Sequence, residues 1–287
     1  MHRLRAGRFD IRHTVDSAQP LTFFGDMRND RRGVAYTYKD TLIEVEQKGS
    51  TVAYSSYGDL SGAEIRKEVL SRFRLDDDIA DIYKRIGTDL FIRRAIRKYS
   101  GMRVTKNEPW ETTLCFLISQ FNNVKRIRGI VRNLILAYGE ERSFSTDTMV
   151  LKFRTFPKPE RIARLSVKEL MSHGAGFRAR YIKSVAQACS ESFDLDRLYR
   201  KGYEEAKEQL MEMDGIGDKV ADCILLFGYG KLGAFPIDVW IKRVVERNYF
   251  RGRKKSVKEI HSFAEERWNG YAGYAQQYLY HSARNEI

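Results

Sequence analysis

The chain has 287 residues, 43% of them hydrophobic, which is enough for one large core or two to three small ones. Its net charge of +13 favours a polyanionic partner, nucleic acid first, over the simpler case of a basic but ordinary soluble protein. Three widely spaced cysteines predict neither a disulfide framework nor a four-cysteine iron–sulfur cluster. No apolar run predicts a membrane span or a signal peptide, so we expect a protein that is not secreted, either cytoplasmic and nucleoid-associated or nuclear.

Short runs of β-branched and aromatic residues predict strands in the first 60 residues, at 34–38, 41–47 and 50–57, with turns at 28–33 and 47–50. From Ser61 the apolar spacing changes to 3.6 residues, which predicts helices. They are expected at 64–73, 78–86, 90–98, 111–121, 124–138, 166–173, 178–193, 203–212, within 210–227, from Asp238 onward, and at 256–281. The predicted fold class is α+β. A small N-terminal antiparallel β domain with its following helices (1–98) packs on a helical body (99–287).

Residues 210–227 contain a Gly-Ile-Gly turn that leads into an apolar helix. Gly215 and Gly217 can take positive φ, and the N–H groups they expose can bind a phosphate at the helix N-terminus. This turn alone also fits an ordinary helix end with a C-terminal glycine. Lys-Val-Ala-Asp directly after it, and Pro-Ile-Asp further on, make the pattern typical of a helix–hairpin–helix.

Lys219 is expected in the first turn of the hairpin helix. There the positive helix pole and desolvation disfavour the ammonium form, and a neutral amine can form a Schiff base with a sugar aldehyde. Asp238 is expected to cap the next helix, and a carboxylate fixed in this way can also face a developing oxocarbenium charge. The alternatives are a solvated surface lysine and a purely structural cap.

Over residues 9–284 the chain resembles the 8-oxoguanine DNA glycosylases of the helix–hairpin–helix superfamily, in the full-length type with an N-terminal β domain. The most specific matches are 215–223 and 236–239, with support from 122–127, 176–181 and 271–277. The resemblance implies a bifunctional DNA glycosylase/AP lyase that acts on double-stranded DNA. Lys219 would attack C1′ of the flipped nucleotide, Asp238 would stabilise the cationic sugar, and β-elimination would nick the strand.

The resemblance also implies a base pocket. Cys223 and Tyr280 would lie against the two faces of the flipped base, and Gln276 would read its Watson–Crick edge. Ala18 stands where the family usually has the glycine whose carbonyl senses the proton on N7 of 8-oxoguanine. Alanine keeps the carbonyl but tolerates positive φ less well, so we expect lesion discrimination to differ in detail.

Other positions would contact the duplex. Phe177 resembles the wedge inserted beside the lesion. Phe121 replaces a third asparagine, which predicts a weaker preference for the opposite base. The remaining DNA-binding positions implied by the resemblance are Asn122, Asn123, Arg126, Arg178, Gly215, Gly217 and Trp240, the last in place of a histidine. The two arginines would read the orphaned cytosine, or else contact phosphates without specificity.

Hairpin carbonyls at Met211, Met213 and Ile216 are candidates for a structural cation, and a turn without a cation fits equally. Beyond that ion the sequence predicts no cofactor, and it predicts a monomer. Two other functions remain open: a glycosylase of the same superfamily with another damaged base, and a noncatalytic helix–hairpin–helix protein that binds DNA. A purely structural helical protein is the remaining alternative.

Overall fold

The structure, a computed structural model, describes residues 1–19, 22, 33–145 and 150–285. Its N-terminal part is a four-stranded antiparallel sheet in the order β1-β4-β3-β2. The strands are β1 (His2–Arg5), β2 (Gly33–Tyr38), β3 (Thr41–Lys48) and β4 (Thr51–Tyr57). The three strands predicted from the sequence are present. The predicted turn at 28–33 lies, except for Gly33, outside the described residues.

One face of this sheet forms a small core. Alternate residues of β3 are buried, among them Ile43 and Val45, as expected of a strand with one covered face. They pack with Ile65 and Val69 of α2 (Gly62–Arg72) and with Phe73 at its end. Helix α1 (Ile11–Asp16) runs beneath the same core.

The rest of the chain is mainly helical, and the predicted α+β fold class is confirmed. The helices of this body are α3 (Ile79–Ile86), α4 (Leu90–Lys98), α5 (Pro109–Ser119), α6 (Val124–Tyr138), α7 (Pro159–Ala163), α8 (Val167–Ser172), α9 (Ala179–Glu191), α10 (Tyr203–Met211), α11 (Asp218–Tyr229), α12 (Val239–Tyr249), α13 (Val257–Trp268) and α14 (Ala272–Asn285). A hairpin of β5 (Glu141–Ser145) and β6 (Val150–Arg154) follows α6. Across the residues described, we find no helix with the length and apolar character needed to cross a bilayer.

Two predicted helices differ from the observed ones. The helix predicted over 256–281 is two helices, α13 and α14, because the chain turns at Asn269-Gly270, where Gly270 has φ of 74°. The helix predicted to reach Phe121 ends at Ser119, and Gln120 is already extended. The sequence reading also missed β1, α1, α7 and the β5–β6 hairpin.

A buried ionic network joins the N-terminal sheet unit to the helical body. Arg72 of α2 is fully buried and pairs with Glu68 at 2.8 Å and with Glu111 of α5 at 3.3 Å. Its guanidinium also donates to Asn107 Oδ1 at 3.0 Å. Burial raises the pKa of Glu111 to about 7, although Arg72 acts in the opposite direction. Separating the two parts would leave buried charges without their partners, which is costly. The network therefore holds the sheet unit and the helical body together.

Candidate active site and nucleic-acid interface

A cavity of about 140 Å³ lies between α5, α11, α12, α14 and the segment 17–19. We call it the candidate cavity. It brings together residues far apart in the sequence, including both predicted catalytic residues and every predicted base-pocket residue. Its lining includes Ala18, Ser119, Asn122, Lys219, Cys223, Pro236, Asp238, Trp240, Gln276 and Tyr280.

Lys219 is the second residue of α11, which begins after the extended backbone of Gly217. Its side chain is half-buried, and Nζ lies 3.3 Å from Ser119 Oγ. The same nitrogen is 5.3 Å from the centroid of the Phe116 ring. The amine is therefore held at the cavity wall, in the first turn of α11.

Asp238 is the N-cap of α12, and its Oδ1 accepts a hydrogen bond from the Ile241 N–H at 2.7 Å. Burial raises the pKa of this carboxyl above the ordinary value, while the backbone N–H groups and the positive charge of Lys219 oppose the rise. The cap and the cavity-lining role coexist, because capping uses one carboxylate oxygen and leaves the other available.

Three side chains form the inner part of the candidate cavity. Cys223 is buried one helical turn after Lys219, and desolvation raises the pKa of its thiol to about 12. Gln276 is buried on α14 and donates through Nε2 to the Pro236 carbonyl at 3.1 Å. Its Oε1 has no hydrogen-bond partner among the described residues. Tyr280, one turn further along α14, is half-buried at the cavity wall.

The N-terminal part closes the cavity through the segment 17–19. Ala18 has φ of 65°, the left-handed conformation that the resemblance to a glycine position leads one to expect. Hydrogen bonds fix the residues on both sides of Ala18. The Ser17 carbonyl accepts from Gln277 Nε2 at 2.7 Å, and Gln19 Oε1 accepts from the Thr105 N–H at 2.8 Å.

A loop between α5 and α6 presents an aromatic ring at the surface. Phe121 is 96% exposed and has φ of 46°, and its ring centroid lies 6.3 Å from that of Phe177, which is half-exposed. Arg178 is buried beneath this loop, where its guanidinium donates to the carbonyls of Gln120 and Phe121. The guanidinium supports the loop from inside, and the readout of a base by Arg178 stays a prediction.

The asparagines of this loop have different roles. Asn122 lines the candidate cavity and donates through Nδ2 to the Ile118 carbonyl at 3.1 Å. Asn123 caps α6, where its Oδ1 accepts from the Arg126 N–H at 3.0 Å. The Arg126 side chain is exposed on the first turn of the same helix. Of the predicted duplex-facing residues, Asn122 and Trp240 line the candidate cavity itself.

The hairpin turn between α10 and α11 differs in one respect from the expectation. Gly215 has φ of 78°, but Gly217 has φ of −96° with an extended ψ, so the positive φ predicted for Gly217 is wrong. Within the turn, the Met213 carbonyl accepts the Ile216 N–H at 3.1 Å. The cation expected at the carbonyls of Met211, Met213 and Ile216 stays a prediction.

Comparison with known proteins agrees with this arrangement. Residues 114–270 match the HhH-GPD superfamily of base excision DNA repair proteins, and residues 2–113 match the N-terminal domain of 8-oxoguanine DNA glycosylase. The chain belongs to the HhH-GPD superfamily. The family resemblance predicted from the sequence is thereby confirmed.

Relatives of this HhH-GPD protein match along nearly the whole chain. A probable N-glycosylase/DNA lyase of Methanothermobacter thermautotrophicus is 28% identical over 310 residues, which cover 98% of this chain and 96% of the relative. The structure of MBOgg1 with a low-affinity DNA ligand has a TM-score of 0.89 and 28% identity, covering 99% of this chain and 95% of that one. The Clostridium acetobutylicum 8-oxoguanine glycosylase/lyase bound to double-stranded DNA has a TM-score of 0.87 and 26% identity, covering 97% and 93%.

The HhH-GPD chain also holds an ionic cluster on a neighbouring face of α11, which the prediction from sequence missed. Lys207 Nζ lies 2.7 Å from Asp218 and 2.9 Å from Asp222, and His261 lies within 3.4 Å of both carboxylates. Asp218 and Asp222 are spaced i, i+4, a signal that could have placed them on one helix face. The cluster links α11 to Lys207 of α10 and to His261 of α13.

Proposed function

We propose that this DNA glycosylase/lyase excises 8-oxoguanine from double-stranded DNA through a Schiff base on Lys219. The observation that carries the proposal is the candidate cavity, because Lys219, Asp238 and the predicted base-pocket residues all line it. The names of the relatives agree with the proposal. The damaged nucleotide must first leave the stack, at a cost of about a few kcal/mol.

The proposed chemistry follows from the positions of two side chains. The amine of Lys219 attacks C1′ through its nitrogen lone pair, and the N-glycosidic bond breaks with its electron pair leaving on the base. The Asp238 carboxylate faces the positive charge that develops on the sugar, where its helix cap fixes its orientation. Loss of the amine proton and opening of the sugar give the Schiff base, from which β-elimination breaks the strand 3′ to the lesion.

The base pocket supports a purine with N–H donors on its Watson–Crick edge. Gln276 lines the cavity and donates through Nε2 to the Pro236 carbonyl, which leaves its buried Oε1 as an acceptor with no partner among the described residues. Oxidised guanine offers N–H donors on that edge, and a buried acceptor without a partner costs about 1–3 kcal/mol. Cys223, kept neutral by burial, and Tyr280 would lie against the two faces of the ring.

Residues of this chain supply the nucleophile, the carboxylate and the base pocket of the proposed reaction. We therefore propose a monomer that works without a cofactor. It would act where genomic DNA is kept, on a cytoplasmic nucleoid or in a nucleus. Sedimentation with and without duplex would test the monomer.

Borohydride trapping tests the proposed nucleophile. Lys219→Gln should abolish the covalent adduct with damaged duplex and leave binding largely intact, because the amide keeps the size of the side chain but cannot form an imine. Lys258→Gln, at an exposed position on α13, is the control and should trap like the wild type. Trapping that survives Lys219→Gln would show that the nucleophile is another residue.

A panel of duplexes tests the substrate. Each duplex carries one lesion, either 8-oxoguanine, an alkylated base or an oxidised pyrimidine, opposite each of the four bases. Preferred excision of 8-oxoguanine would support the proposal, and preference for another lesion would assign the second function. Binding without excision of any lesion would indicate a noncatalytic protein.

A further inference from the structure

A groove of about 590 Å³ lies beside the candidate cavity, and the proposed reaction makes no use of it. Its walls are one face of α4, with Phe91 and Arg94, and one face of α12, with Arg243 and Arg247. Helix α14 packs against both α4 and α12 and forms the floor of the groove, which the small side chain of Ala283 lines. We call this the basic groove.

The three arginines of the basic groove are exposed, and none has a carboxylate partner within the described part of the chain. The acidic residues nearest in sequence are already engaged. Asp89 before α4 pairs with Arg267 at 2.9 Å, and Glu246 of α12 is buried and pairs with Lys254 at 3.1 Å. The groove therefore presents uncompensated positive charge, which attracts a polyanion.

The basic groove continues from the candidate cavity through one residue. Trp240, at the start of α12, lines both spaces, and the Arg243 guanidinium lies 5.8 Å from its ring centroid. From Trp240 to Arg247 the helix advances seven residues, about 10 Å at 1.5 Å per residue. Each strand of duplex DNA carries one phosphate per about 3.4 Å of rise along the duplex axis, so a helix of this length lying along that axis would pass about three phosphates.

We propose that the basic groove binds the phosphate backbone of the damaged strand, over two to three phosphates on one side of the flipped nucleotide. This inference rests on the proposed function, because it takes the candidate cavity as the place of that nucleotide. The spacing of the arginines on α12 suits the backbone, since positions 243 and 247 lie on one helix face one turn apart. Arg94 reaches the same strand from the opposite wall.

The test is the salt dependence of DNA binding. The triple variant Arg94→Ala, Arg243→Ala, Arg247→Ala is compared with the matched control Arg3→Ala, Arg5→Ala, Arg66→Ala, which loses the same charge from exposed positions on the sheet unit. Affinity for a duplex with a stable abasic analogue is measured by anisotropy between 50 and 200 mM salt. The slope of log affinity against log salt should fall by about 0.9 for each lost phosphate contact in the groove variant.

Shortened duplexes locate the contact. Removing base pairs from one side of the lesion should weaken binding by the wild type and leave the groove variant unchanged, while removal from the other side should weaken both. A groove variant with the wild-type slope, or with the same fall as the control, would overturn the proposal. So would a fall seen with single-stranded oligonucleotide but not with duplex.

Excision assays on the same proteins separate this proposal from the proposed function. If the wild type neither binds the abasic duplex preferentially nor excises a damaged base, the proposed function fails. If it does both while the two triple variants behave alike, only the groove proposal fails. Equal melting temperatures of all three proteins would exclude a folding defect.

Discussion

The two glycines of the hairpin turn should respond very differently to the same added methyl group. Gly215 has positive φ, and a Cβ built on it would lie 2.4 Å from Tyr181 Cγ. Gly217 has negative φ, and a Cβ there meets nothing within 4 Å. The left-handed conformation costs a non-glycine residue about 1–2 kcal/mol. Overpacking adds about 1–3 kcal/mol.

Gly215→Ala should therefore lower the free energy of unfolding by about 2–5 kcal/mol. Gly217→Ala should change it by less than about 1 kcal/mol, because the freedom that the unfolded chain loses is opposed by the poorer N-cap that alanine gives α11. Thermal unfolding followed by circular dichroism measures both, at roughly 2–4 °C for each kcal/mol in a protein of this size class. A Gly215→Ala protein that melts with the wild type, or a Gly217→Ala protein that melts as low as Gly215→Ala, would refute this account of the turn.

Three further predictions concern specificity, pH and reactivity. The wild type should prefer cytosine opposite 8-oxoguanine only weakly, since the exposed ring of Phe121 offers no hydrogen bond to the opposite base, and Phe121→Asn should strengthen that preference. Strict dependence of the wild type on cytosine would contradict this. On acidification, single-turnover excision should fall at a higher pH than an ordinary aspartate would give, because burial raises the pKa of Asp238 and only its ionised form stabilises the sugar cation. Asp238→Asn should be slow throughout and lack this acid limb, and an acid limb retained by that variant would assign it to another group. Cys223 should resist iodoacetamide in the native protein at pH 8, since its thiol is buried with a pKa of about 12, and rapid labelling mapped to Cys223 by mass spectrometry would contradict the structure.

The sequence predicted well those features that depend on local rules. The helix after the Gly-Ile-Gly turn and the cap at Asp238 follow from propensities within a few residues. The break between α13 and α14 could have been found as well, because Asn-Gly at 269–270 is a turn signal.

Features that depend on distant contacts were harder to predict. Helix α5 ends early and Phe121 is left-handed at the loop that Arg178 supports. The Arg178 guanidinium donates to the carbonyls of Gln120 and Phe121, which lie 58 and 57 residues away in the sequence. Nothing near Arg178 in the sequence shows that its guanidinium points inward. For the hairpin, the sequence gives two glycines, but only packing against Tyr181 decides that Gly215 is the one with positive φ.

The hydrogen bond between Gln277 and the Ser17 carbonyl joins residues 260 positions apart, and it has a consequence for synthesis. A growing chain completes α11 and α12, with Lys219 and Asp238, before it has made α14. Until α14 docks against the segment 17–19, the candidate cavity lacks the wall that Gln276 and Tyr280 form. The cavity is thus complete only when α14 has packed against a segment near the start of the chain, after Lys219 and Asp238 have been made.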